Sequence, residues 1–298
     1  MQDNIGKREE NMRIGVIGLG KLGMCLAGIL VQKNEVYGVD IIQRDPKDNE
    51  DAELQKMDLK KLVTSTDFSM LKDCEVVFNV VNTPSNLDGS FSNESIYESI
   101  EKARPYLNCK VFVVVSTVMP GSCREISKIL PCEICYNPEF IRLGHVINDM
   151  LNPDFILIGE ENKQSGDLIE KIYREITDAP IKRMDLISAE IAKISLNAYI
   201  TMKISFANVL DEICEKLGGN AKKITEAIGE DKRIGKRYFK PGGAYGGPCF
   251  PRDNRAFAVF AGNIPNYAEL TDKINKHQAE RIGFFTKNKR YGTLNGEG

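Results

Sequence analysis

The chain has 298 residues, 42% of them hydrophobic and 28% charged, with a formal net charge of −2. That length supports two domains and a sizeable core, and the charge balance argues against nucleic acid as a partner. No apolar run reaches bilayer length, and the polar stretch from Met1 to Asn11 lacks the apolar centre of a secretion signal, so a cytoplasmic protein is expected.

Residues 1–11 are polar and expected to be disordered; Met12 then leads into a first strand over 13–17. Further strands are expected at 35–39, 75–81, 110–115, 133–136 and 155–158. They are short and rich in Val and Ile, as strands buried on both faces should be. Helical patterns at 21–32 and 93–105 lie between them. This alternation predicts an α/β fold, a doubly wound parallel sheet of the Rossmann type over 12–185. Near residue 186 the pattern changes. Ser188 to Leu217 reads as one long helix stopped by Gly218 and Gly219. Helices near 220–229, 251–261 and from 268 follow, giving a helical domain over 186–285 and a polar tail over 286–298.

The eight cysteines mostly sit in apolar segments, where a thiol behaves as a small hydrophobe. Cys132 and Cys135 form a Cys-x-x-Cys spacing that could signal metal or redox chemistry. Strand geometry argues against it, because residues three apart in a strand point to opposite faces. No second cysteine pair or nearby histidine completes a zinc set, and no metal is expected.

Gly18, Gly20 and Gly23 follow the first strand in a Gly-x-Gly-x-x-Gly spacing and open a helix. The first allows a tight turn, the second lets a pyrophosphate approach the backbone, and the third lets helix and strand pack closely. Asp40 ends the second strand, where a carboxylate accepts from ribose hydroxyls and repels a 2′-phosphate. NAD is the expected cofactor, with Arg44 nearby as the one feature leaning towards NADP. Thr83 in Val81–Ser85, and Thr117 in Ser116–Gly121, follow later strands at the end where ligands bind in such sheets. By themselves these segments read equally well as ordinary proline turns.

Cys249 closes a glycine-rich loop and precedes Pro251, Arg252 and Asp253. Proline favours a first helical turn, so a helix should begin just after the thiol, lower its pKa and make it nucleophilic, with Arg252 helping. A cysteine merely sitting beside a loop reads as well from these facts. Lys193 and Asn197 share a face of the long helix and could stabilise negative charge on a substrate oxygen. A solvated lysine is the ordinary alternative.

Taken together with Asn137–Phe140, Lys203–Phe206, Asp231–Gly235 and Gly246–Asp253, these motifs resemble the UDP-glucose/GDP-mannose dehydrogenase family from Met12 to about residue 285. The resemblance implies NAD-dependent four-electron oxidation of a sugar CH2OH to a carboxylate through a thiohemiacetal and thioester. Carried over, Cys249 is the nucleophile, Lys193 and Asn197 hold the oxyanion, Asp253 assists with protons, and Thr117 and Glu139 handle the water. It implies cofactor contacts from Gly18, Gly20, Leu22, Gly23, Asp40, Thr83, Thr117 and Arg252. Substrate contacts fall to Phe140, Ile141, Lys193, Asn197, Arg233, Lys240, Tyr245 and Gly246, with Arg233 matching an arginine that reaches a partner's substrate. A homodimer through the helical domain follows, with a nucleotide sugar as ligand and neither nucleic acid nor membrane as partner.

Two departures stand out. Leu143 takes the place of a family carboxylate, and the family's third, base-gripping domain has no counterpart in these 298 residues. Competing readings are a two-electron dehydrogenase of the β-hydroxyacid type and a non-catalytic NAD-binding or dimerisation module.

Overall fold

The computed structural model describes residues 11–142 and 144–287. The expectations for residues 1–10, for Leu143 and for the tail beyond Lys287 lie outside the described residues. The chain folds into two compact units. The first runs to Pro84 and resumes over Ser92–Ile191; the second takes Ser85–Phe91 and the chain from Ala192 onward.

The first unit is built on one eight-stranded sheet: β1 (Arg13–Ile17), β2 (Glu35–Val39), β3 (Leu62–Ser65), β4 (Val76–Asn79), β5 (Val111–Val114), β6 (Glu133–Tyr136), β7 (Ile156–Glu160) and β8 (Ile181–Asp185). Its order is β3-β2-β1-β4-β5-β6-β7-β8. β1 and β4 are therefore spatial neighbours, and the strand order runs outward in both directions from them. That reversal makes the crevice at the strands' C-terminal ends, where doubly wound sheets take their ligands. The central strands justify the apolar runs: β4 and β5 are buried at every position. Helices α1 (Lys21–Leu30), α2 (Glu94–Ala103), α3 (Ser122–Ser127), α4 (Val146–Leu151) and α5 (Lys163–Arg174) accompany the sheet.

The sheet is not wholly parallel, contrary to the expectation. β7 pairs antiparallel to β6, through Cys135 with Glu160 and Tyr136 with Gly159, and β8 then runs parallel to β7. Two strands, β3 and β8, go beyond those expected from the sequence. Both are edge strands with polar or half-buried residues, so they carry no continuous apolar run. Arg183 of β8 is held by Glu160, Asp167 and Glu170, which offset the polarity of that edge.

Helix α6 (Leu186–Leu217) leaves the first unit and forms the spine of the second, with α7 (Ala221–Gly229), α8 (Phe250–Ala261) and α9 (Tyr267–Lys287). From residue 193 its buried positions include Lys193, Asn197, Thr201, Ser205 and Asn208, a polar stripe at helical spacing. Buried polar groups need partners, and α8 and the loop before it supply most of them. Thr201 Oγ1 donates to Asn254 Oδ1 at 2.9 Å, and Asn208 Nδ2 donates to the Gly243 carbonyl at 3.1 Å. The segment Ser85–Phe91, a tight hairpin closed by a bridge between those two residues, belongs to this unit although it sits between strands of the other in sequence. No described helix is long and apolar enough to cross a membrane.

Candidate functional site

In the first unit the glycine turn is shaped for a dinucleotide. Gly18 has φ of +89°, and a side chain there would meet the Val80 carbonyl oxygen at 2.8 Å. A Cβ on Gly23 would run into the Gly18 carbonyl oxygen, so strand and helix touch where only hydrogen fits. Around Gly20 nothing lies within 4 Å of a Cβ position, which leaves the backbone open to a ligand. Gly20 is also the N-cap of α1 and offers no side-chain acceptor. The first amides of α1, including Leu22, are thus presented to an anion at the positive end of the helix dipole. Asp40 is 9% exposed; its Oδ2 accepts the Leu19 amide at 2.8 Å, tying the end of β2 to the turn, and Arg44 Nε lies 3.7 Å away. These residues fit the pyrophosphate and ribose of NAD.

Beside the turn, two loops are stitched together. Thr83 Oγ1 donates to the Thr117 carbonyl at 2.7 Å, and Ser116 Oγ donates to the Val81 carbonyl at 2.6 Å. The 116–121 loop is anchored from its other end by Glu190 of α6, fully buried, whose carboxylate accepts the Gly121 and Cys123 amides at 2.5 and 2.7 Å. Burial raises the Glu190 carboxyl above its ordinary value, and those two amides pull it back.

After β6, Asn137 Nδ2 donates to the Leu157 carbonyl at 2.9 Å. The buried Tyr173 hydroxyl donates to Asn137 Oδ1 at 2.5 Å and to Glu139 Oε1 at 3.2 Å. Burial and the Glu139 carboxylate push that hydroxyl well above the usual tyrosine range, so it stays a donor. The Phe140 ring packs on Phe155 with centroids 4.9 Å apart, and Ile141 packs against the core.

In the second unit α8 does begin just after Cys249, which occupies its N-cap position; the Asp253 amide donates to the Cys249 carbonyl at 2.8 Å. Lys193, Asn197 and Asp253 are each buried to within 9% exposure, and Asn197 Nδ2 donates to Asp253 Oδ2 at 2.6 Å. Lys193 acts electrostatically on both Asp253 and Cys249. An ammonium, an amide and a carboxylate therefore gather around one exposed thiol.

The expected fall in the Cys249 pKa is not found. Partial desolvation of the sulfur raises the thiol above its ordinary value, and the Asp253 carboxylate pushes the same way. Lys193 and Arg252 oppose this without overcoming it. The helix start brings an acidic neighbour along with its dipole. Asp253 is itself raised by burial, against the pull of Lys193, Asn197 and Arg252.

Arg252 adjoins this cluster electrostatically, while other expected residues lie away from it. The Arg252 guanidinium lies over the Phe91 ring, 4.0 Å from its centroid, and burial lowers its pKa. Tyr245 is buried, its hydroxyl held by Asp272 and by Asn254 at 2.9 Å, while Asn275 brackets its backbone at 2.7 and 2.9 Å. Tyr245 thereby anchors the 240–249 loop to α9. Gly246 and Lys240 are exposed on that loop. Arg233 is exposed in the turn after α7, paired with Asp231 at 2.5 Å. Sequence reasoning missed Glu190, Tyr173, Thr201 and Asn254. Only Thr201 left a signal, as a polar residue four after Asn197 on the same helix face.

Residues 12–177 match the NAD binding domain of the UDP-glucose/GDP-mannose dehydrogenase family, and residues 187–277 match its central domain. The chain belongs to this family. The NAD binding domain match covers most of the first unit. A UDP-glucose 6-dehydrogenase of Rickettsia bellii is 40% identical over 219 residues, covering 71% of this chain and 50% of the relative. One from Bacillus subtilis is 32% identical over 220 residues, covering 70% and 50%. The structure of a UDP-glucose dehydrogenase from Pyrobaculum islandicum superposes with a TM-score of 0.81 at 27% identity, over 94% of this chain and 70% of that one. The match to these two curated dehydrogenases thus spans about half of their length.

Proposed function

We propose that this chain carries the catalytic residues for NAD-dependent oxidation of a UDP-glucose-like nucleotide sugar, from CH2OH to carboxylate, through a covalent adduct on Cys249. The observation that carries the reading is the buried group Lys193, Asn197 and Asp253 assembled at the helix start that bears the thiol. NAD, held at the Gly18–Gly23 turn and Asp40, supplies the hydride acceptor for both oxidations.

The protein's own part is charge and proton handling. In this reading Cys249 Sγ adds to the aldehyde carbon left by the first oxidation, forming a thiohemiacetal. The second oxidation makes it a thioester, which water cleaves to the acid and the free thiol. The Lys193 ammonium and the Asn197 amide stabilise the negative charge that develops on the sugar oxygen. A thiol raised above its ordinary value needs a base to become thiolate. Asp253, also raised, is a better match to it than an ordinary carboxylate would be. Thr117 and Glu139 position the hydrolytic water, with Tyr173 orienting Glu139. Phe140, Ile141, Arg233, Lys240, Tyr245 and Gly246 form the substrate-binding segments. Thr83 and Arg252 contribute to the cofactor side.

The test is a panel of UDP- and GDP-sugars with NAD, following NADH and mapping any adduct on Cys249. Two NADH per sugar with label on Cys249 supports the reading. One NADH per substrate points to a two-electron dehydrogenase. Tight NAD binding without turnover on any sugar points to a non-catalytic module.

A further inference from the structure

Cys132 stands out in the sequence for its spacing to Cys135, but its neighbour in space is Cys109. The two sulfurs lie 3.1 Å apart although 23 residues separate them in the chain. The reason is topological. β5 and β6 are adjacent and parallel, with Val111 opposite Glu133, so the residues just before each strand enter the sheet side by side. Cys135 lies within β6, fully buried, and is not part of the pair.

The pair is asymmetric. Cys109 is 7% exposed, whereas Cys132 is only partly buried. We propose that Cys109 and Cys132 form a redox-active thiol pair, converted by small-molecule disulfides into an intrachain disulfide that staples β5 to β6 at their N-terminal ends. Contact between the thiols lowers the Cys132 pKa and raises that of Cys109, and the Phe112 backbone amide also favours the Cys132 thiolate. The more accessible sulfur is therefore the better nucleophile.

The chemistry balances in two exchanges. The Cys132 thiolate attacks one sulfur of the external disulfide, forms a mixed disulfide and releases one thiolate, which takes up a proton. Cys109, losing its proton, attacks Cys132 Sγ; the new bond joins the two cysteines and the second small thiol leaves. The protein loses two electrons and two protons, and the external disulfide becomes two thiols. The staple closes a loop containing α3 and the 116–121 segment, and it does not involve Cys249.

Oxidised glutathione added to the reduced full chain tests this by intact mass and a non-reducing peptide map. The expected result is a Cys109–Cys132 linked peptide and a loss of two hydrogens, reversed by dithiothreitol. Cys132→Ser should give no link. The oxidised chain should melt higher, by on the order of 5 °C. A lasting glutathione adduct on Cys132, a link from Cys109 to the neighbouring Cys74, or two thiols that remain alkylatable would each overturn the proposal. An unchanged melting midpoint in a chain mapped as linked would overturn the staple.

Discussion

At the scale of single residues, Cys249 is governed by its neighbours rather than by its position at a helix start. Desolvation and Asp253 outweigh Lys193 and Arg252, so the thiol is raised. The sign follows directly: at neutral pH most of it is protonated, and its thiolate fraction grows as pH rises through and beyond the ordinary thiol value. Iodoacetamide alkylation of Cys249 should therefore be slow near pH 7 and increase about tenfold per unit until it levels above an ordinary thiol's midpoint. Asp253→Asn should move that midpoint down and Lys193→Met should move it up. A midpoint below that of a free cysteine would contradict the geometry. In the panel assay, Cys249→Ser should abolish acid formation while leaving NAD affinity within about twofold, since the proposed cofactor turn lies in the other unit. Loss of both together would argue against separate roles.

At the scale of elements, the turn between β1 and α1 separates two uses of glycine. Gly20→Ala meets no atom within 4 Å, so the fold should survive with an unchanged melting temperature while NAD affinity falls. Gly23→Ala drives a methyl into the Gly18 carbonyl, and a loss of about 1–3 kcal/mol of stability is expected in denaturant titration. Equal effects of the two substitutions on stability would refute the distinction. The α6–α8 contact offers a second case. Asn254 joins Thr201, Tyr245 and Asp272 in one buried network. Asn254→Leu should cost roughly 1–3 kcal/mol by removing its bonds to Thr201, Tyr245 and Asp272, although Tyr245 keeps Asp272 and Thr201 keeps the Ala198 carbonyl. Because Asn254 is one of the groups that hold Tyr245 and with it the 240–249 loop, the substitution should also raise KM for the proposed nucleotide-sugar substrate. An altered kcat with KM unchanged would argue against that anchoring role.

At the scale of the whole molecule, α6 exposes Tyr199, Phe206 and Ile213, 55%, 52% and 44% accessible and spaced seven apart. Such a stripe on one helix face suits a second copy of the chain, and we propose it as the contact of the homodimer that the family resemblance implies. Light scattering should report a dimer, and Tyr199→Glu combined with Ile213→Glu should leave a monomer. A monomeric parent chain would remove the proposal. Much of the architecture was legible because apolar runs and glycine spacing are local signals. β1, β2, β4, β5 and the α1 turn were read from residues that need few distant partners to declare themselves. The edge strands β3 and β8 were not, since their half-buried polar residues resemble loops until a neighbouring strand pairs with them.

The candidate site divides along the same line. The sequence by itself determined the dinucleotide turn, the helix start behind Cys249 and the shared face of Lys193 and Asn197, because each rests on spacing within one element. Only the tertiary structure decided that Asp253 meets Asn197, that Glu190 and Tyr173 hold the loop segments, that Cys132 faces Cys109 rather than Cys135, and that Cys249 is raised. The first three depend on groups tens of residues apart being brought together, and the last on partial desolvation of the thiol beside the carboxylate four residues on. Desolvation and long-range pairing have no signature in local order.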